Sequence, residues 1–138
     1  MPRGKDHHYQ AKLTWTGAAA GPTSDYKSYS REYRVVFEGK PPMTGSADPA
    51  FRGDPALHNP EDLLLVALSS CHMLSYLALA ALEGLQVVAY EDQASGTMQQ
   101  QGRGGRFTEG MLRPQVLLAP GSDLARAGAL LGAIVGDG

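Results

Sequence analysis

A single cysteine, Cys71, stands among the 138 residues. That excludes an intramolecular disulfide framework and a cysteine-rich zinc site. Neither sign of charge dominates, since 12 basic and 14 acidic side chains leave a net charge of −2. A dedicated nucleic-acid binder would carry a basic stripe, so no nucleic-acid partner is expected. The opening run MPRGKDHHYQ has no apolar stretch after its charges, so it does not read as a secretory signal. The histidines His7, His8 and His58 are too scattered for a metal-ligand pattern, and neither metal nor cofactor is expected. No repeat of solenoid period and no low-complexity linker interrupts the chain.

What remains fits one ordinary domain, expected to span 1–138 with residues 1–8 as a flexible tail. The hydrophobic fraction is 43%, enough for a sizeable core. Seventeen glycines and nine prolines predict many turns. Tyr9–Trp15 alternates apolar and polar residues, the period of a half-buried strand. Thr16–Asp25 is a turn by composition. Tyr26–Phe37 resumes the alternation, with Tyr29, Arg31, Tyr33, Val35 and Phe37 on one face. An inward arginine there calls for a partner carboxylate or a cavity. Pro41 and Pro42 end the strand, because neither can donate to a sheet ladder. Met43–His58 is long and irregular, a class of loop that is often functional, which draws attention to Arg52 and Asp54.

The strongest local signal follows. Asn59-Pro60-Glu61-Asp62 supplies a cap, a proline at the first helical position and first-turn carboxylates. The run beyond is apolar on nearly every side until Gly84, predicting a helix of about 24 residues and about 36 Å, buried all round. Leu63–Leu82 is long enough to span a bilayer. However, Ser69, Ser70, His72 and Ser75 interrupt it and no basic cluster flanks it, so a core helix is the better reading and no membrane is expected. A monomer of this size would struggle to surround such a helix, so part of it should pack against a second copy. Leu85–Tyr90, Gln93–Gln100 and Phe107–Leu118 read as strands, the last two joined through Gly102–Gly105. Ser122 or Asp123 can cap a final helix carrying Leu124, Ala127, Leu130, Leu131, Ile134 and Val135. The sum is an α+β domain, an antiparallel sheet packed on a long central helix.

Cys71 lies about three turns into that helix. Taken alone, a helical cysteine is most often a small buried hydrophobe. His72 points about 100° away around the helix, so it is not automatically a base for the thiol and reads as a core or interface histidine. The combination changes the balance. Asn59-Pro60-Glu61-Asp62-Leu63-Leu64, with Cys71 ten residues after Glu61, resembles the OsmC/Ohr family of osmotically inducible and organic hydroperoxide resistance proteins. Trp15-Thr16-Gly17, the tyrosine-rich second strand and GSADPAFRGD extend the resemblance over roughly residues 8–120.

The resemblance implies an intertwined homodimer and a thiol-dependent peroxidase acting on organic hydroperoxides in a cytoplasmic oxidative-stress defence. It assigns the peroxidatic role to Cys71 and the arginine-orienting role to Glu61. The activating arginine it implies is expected to be Arg52 in the loop before the helix, with Arg31 on the second strand as the alternative. Ten helical residues rise about 15 Å, so Glu61 would serve the cysteine of the other subunit. The chain departs from the family where a second, resolving cysteine and a closing strand are expected. Its tail, residues 122–138, is instead an atypical helix with Gly128, Gly132 and Gly136 at four-residue spacing. A sulfenic acid at Cys71 would then need an external thiol. A non-catalytic member of the same fold, binding a small molecule or serving as a structural stress protein, is the alternative.

Overall fold

The computed structural model describes residues 4–102 and 104–136. Arg103 of the expected hairpin, residues 1–3 of the expected tail and residues 137–138 lie outside them, as do the side chains of Ile134 and Val135. The fold is α+β: the described residues form seven short strands, all paired antiparallel, with two α-helices. The chain divides into two compact units, Met1–Asp62 and Leu63–Gly138.

The first unit holds a three-stranded sheet in the order β1 (Lys12–Thr14), β2 (Tyr33–Val36), β3 (Met43–Gly45). Both outer strands pair with β2 over three residues each. The expected second strand, Tyr26–Phe37, is shorter than its pattern because Asp25 turns the chain. Its carbonyl accepts from the Ser28 N–H at 3.1 Å and its Oδ1 from the Lys27 N–H at 3.3 Å. Such side-chain competition for backbone donors is why aspartate favours turns. Between β1 and β2 a 3-10 turn covers Thr16–Ala20. Gly17 there donates to the Glu32 carbonyl at 2.9 Å, and a Cβ on it would fall 2.4 Å from the Ser30 carbonyl oxygen. Only glycine permits that approach.

The second unit is built on α1 (Pro60–Leu82), whose first residues belong to the first. Gly84, at φ +78°, ends the helix. Beyond it run β4 (Val87–Asp92), β5 (Ser95–Gln101), β6 (Gly104–Met111), β7 (Pro114–Leu118) and α2 (Leu124–Gly136). β4 pairs with β7 and β5 with β6, so the four strands form one long hairpin broken in the middle. The expected continuous strand Phe107–Leu118 splits at Leu112–Arg113 for a local reason. The Arg113 N–H donates to Asp92 Oδ1 at 2.6 Å, and its guanidinium donates to the Gln93 carbonyl and Ser95 Oγ, both at 2.9 Å. These bonds take the backbone out of the ladder. Asp123 caps α2 through its carboxylate, which accepts from the Arg126 N–H at 3.0 Å. Arg126 also forms a bidentate pair with Glu83 and holds that carboxyl below its ordinary value.

The core of this unit is small: Tyr76, Ala80 and Leu130, with Leu77, Leu85, Val87, Tyr90, Val116 and Leu131 packed against them. His72, Tyr76 and Ala80, at four-residue spacing, are the buried residues of α1. The expectation of a helix buried all round is therefore corrected for the single chain. Two strands and one short helix cover a single stripe of α1, while Leu74 is 61% and Leu82 82% exposed. Among the described residues α1 is also the one helix long and apolar enough to cross a membrane.

His72 ties the unit together. Its Nε2 lies 3.2 Å from the Leu131 carbonyl and its Nδ1 3.2 Å from the Tyr90 hydroxyl. The carbonyl can only accept, so Nε2 carries the proton and Nδ1 accepts from Tyr90. Burial, then the nearby Asp92 carboxylate and Tyr76, push the Tyr90 hydroxyl up, which keeps it a donor. His72→Ala removes both bonds and leaves a cavity between α1, β4 and α2. A loss of about 3 kcal/mol is expected in urea unfolding, and a change below about 1 kcal/mol would mean that His72 does not join the three elements.

Candidate active site

The start of α1 is a reciprocal capping box. Asn59 Oδ1 accepts from the Asp62 N–H at 2.9 Å, and Asp62 Oδ2 accepts from the Asn59 N–H at 3.4 Å. Pro60 fills the first helical position, where no N–H is needed. Three residues of the Asn-Pro-Glu-Asp start thus serve the helix end. Glu61 does not, and its Oε2 is buried with no hydrogen-bond partner. A buried carboxylate oxygen without a donor is costly, so this position is suited to a cation.

The two candidate arginines stand in opposite conditions. Arg31 is fully engaged: its guanidinium donates to the Tyr29 carbonyl at 2.5 Å and to the Tyr26 carbonyl. It also lies 3.5 Å from the centre of the Tyr29 ring and 4.9 Å from that of Tyr26. Trp15 extends the cluster, packed edge-on to Tyr29 and donating from Nε1 to the Ser30 carbonyl at 2.7 Å. The partner expected for Arg31, a carboxylate or a cavity, is replaced by two carbonyls and two aromatic faces.

Arg52 is exposed, and among the described residues its guanidinium makes neither a hydrogen bond nor an ion pair. Its backbone holds φ +65°, the one left-handed non-glycine residue among those described. It closes a 3-10 turn, Pro49–Phe51, capped by Asp48, whose Oδ1 accepts from the Ala50 N–H at 2.7 Å. Asp54 is likewise a turn former, its Oδ1 accepting from the Ala56 N–H at 2.9 Å.

Cys71 is exposed on α1. Its polar neighbours are committed elsewhere: Ser69 Oγ donates to Asp92 Oδ2 at 2.5 Å, Ser70 Oγ to the Ala67 carbonyl at 3.3 Å, and His72 belongs to the core. The Cys71 thiol makes no hydrogen bond among the described residues. Leu64, Leu68, Cys71, Ser75, Ala78 and Leu82 are all exposed and follow alternating steps of four and three, the spacing of a coiled-coil seam. A groove of about 370 Å³ opens against a different face of α1, lined by Leu65, Val66, Ser69, Ser70, Met73, Tyr90, Asp92 and Ala94. Cys71 does not line it. Within one chain, then, Arg52, Glu61 and Cys71 are not joined by any described hydrogen bond or ion pair.

Among solved structures, this one matches an OsmC-like protein of unknown function from Vibrio cholerae, with a TM-score of 0.82 and 29% sequence identity over 96% of this chain and 90% of that chain. The chain belongs to the OsmC family. An OsmC-like protein from Mycoplasma pneumoniae, 11% identical, shares the fold with a TM-score of 0.69 over 94% of this chain and 82% of its own. No protein-family model matches the sequence, and no curated protein matches it. The residues that carried the resemblance to OsmC proteins lie in the capping box, α1 and the loop before it, and in Trp15 with the 3-10 turn after it and the segment leading into β2. The Tyr26–Tyr29–Arg31 stack and the internal bonding of the Arg52 loop were missed by sequence reasoning. Tyrosines spaced by two read as strand faces, and nothing in GSADP marks its serine as buried.

Proposed function

We propose that this OsmC-family chain is a thiol-dependent peroxidase that reduces organic hydroperoxides in a cytoplasmic, homodimeric form, as part of oxidative-stress defence. The observation that carries the reading is the partnerless buried oxygen of Glu61, with an unengaged arginine, Arg52, nine residues before it in the same unit. A carboxylate binding one edge of a guanidinium leaves the other free to stabilise a thiolate. In the dimer Arg52 and Glu61 serve the Cys71 of the partner subunit.

In the first step the Cys71 thiolate attacks the terminal oxygen of the hydroperoxide. An S–O bond forms, the O–O bond breaks, and the alkoxide leaves and takes up a proton to become the alcohol. The sulfur, oxidised to a sulfenic acid, condenses with an external thiol, releasing water. A second thiol then regenerates Cys71 and departs as a disulfide. This chain has no other cysteine to do that work.

Stopped-flow mixing of the reduced protein with cumene hydroperoxide tests the reading. Thiol loss is expected to outpace that of free cysteine by at least about 100-fold, consistent with an activated, oriented nucleophile, and Cys71→Ser is expected to abolish it. Equal rates for the protein and free cysteine would reject the peroxidase. The groove that excludes Cys71 favours a second reading, a non-catalytic small-molecule binder, in which Cys71→Ser leaves function intact.

A further inference from the structure

The loop between β3 and α1 is built inward around one backbone position. Ser46 is 1% exposed, the most buried polar residue of the loop. Its N–H donates to the His58 carbonyl at 2.9 Å, beside the bridge between Gly45 and His58, so the two ends of the loop are tied at Ser46. Its Oγ accepts from the Asp54 N–H at 3.0 Å, reaching across to the residue two beyond Arg52. From the near side, the Asp48 carbonyl accepts from Phe51 at 2.8 Å and Gly53 at 3.1 Å, while the Arg52 N–H donates to the Pro49 carbonyl at 3.0 Å. Gly53 lies so close that a Cβ on it would fall 1.6 Å from the Ala47 carbonyl oxygen. Arg52 is thereby held at φ +65°, a conformation an arginine does not choose unaided.

Strain of that kind persists only where its surroundings over-determine it. Here the surroundings are hydrogen bonds that converge on Arg52 from both sides, and the one supplied by a buried side chain comes from Ser46. We infer that Ser46 is the positioning residue of the peroxidase, fixing the backbone at Arg52 so that its guanidinium reaches the reacting sulfur in one orientation. The inference rests on the proposed peroxidase reading and on Arg52 as its arginine, and adds the residue that aims it. Ser46→Ala removes the acceptor for the Asp54 N–H and lets the Arg52 backbone relax, while the guanidinium stays in the chain.

The test is the pH profile of Cys71 alkylation together with cumene hydroperoxide reduction, measured on the full-length wild type, Ser46→Ala and Ser46→Thr. For Ser46→Ala the alkylation profile is expected to move up by about one pH unit and the peroxide rate below neutrality to fall about tenfold. Ser46→Thr, which keeps the hydroxyl, is expected to restore both. Asp48→Ala, in a half-buried turn, loosens the same loop from its other end and is expected to move both readouts the same way, so it decides the matter if Ser46→Ala does not fold. An active wild type whose profile is unmoved by folded Ser46→Ala and Asp48→Ala overturns the inference and leaves the peroxidase standing. A wild type no faster than free cysteine overturns the peroxidase itself.

Discussion

Arg52→Ala is expected to slow peroxide reduction by Cys71 about 10- to 1000-fold at neutral pH and to move the pH profile of its alkylation up by about 1–3 units. That is the range over which losing one nearby positive charge shifts a titrating group. Arg31→Ala is expected to act differently. It strips a cation from two carbonyls and two tyrosine faces, so it should lower the melting temperature while the folded fraction keeps the wild-type profile. Glu61→Gln should follow Arg52→Ala more weakly, since the guanidinium remains but loses its charged anchor. Arg52→Gly separates chemistry from folding. Glycine suits the left-handed backbone at position 52, so stability should stay within about 1 kcal/mol of wild type while reactivity falls as in Arg52→Ala. A folded Arg31→Ala dimer without activity, beside an active Arg52→Ala, would make Arg31 the activating arginine.

The contrast between the arginines also shows what the sequence could reveal. Position in the chain favours Arg52 only slightly, because a loop residue and an inward strand residue are both plausible sources of a guanidinium. What separates them is occupancy, and occupancy depends on how the chain folds back. Asp25 turns Tyr26–Tyr29 out of the strand, and that turn brings two carbonyls to Arg31. A two-residue alternation carries no trace of it. The capping box, by contrast, is wholly local, so Asn59, Pro60 and Asp62 announce α1 at the right residue. The hairpin of β5 and β6 is legible in outline for the same reason, with Gly102 at φ +59°, although Gly104 and Gly105, expected in its connection, belong to β6. Its break at Arg113 is not, because the acceptor, Asp92, lies 21 residues away. Cys71 was legible as a candidate, but its exposure on α1 was not, because that depends on which stripe of the helix the strands and α2 cover.

Sedimentation of the wild type at micromolar concentration is expected to give about twice the monomer mass of 14.6 kDa, and Leu68→Glu is expected to give the monomer. The seam Leu64, Leu68, Cys71, Ser75, Ala78 and Leu82 is exposed throughout, and half of Leu68 itself is in contact with water. Fully burying a leucine stabilises by about 1.5–3 kcal/mol, and a two-fold interface counts each substitution twice. Forcing two carboxylates into that seam adds their desolvation to the lost burial, so the dimer constant should weaken by at least about 1000-fold, or about 4 kcal/mol. Peroxide reduction per chain should fall with it if, as proposed, Arg52 and Glu61 of one subunit serve the cysteine of the other. Leu82→Glu, at the end of the helix and already 82% exposed, should weaken assembly less. If the wild type sediments as a folded monomer and still consumes hydroperoxide at the same rate per chain, the shared site fails. Arg52 would then have to reach Cys71 within one subunit.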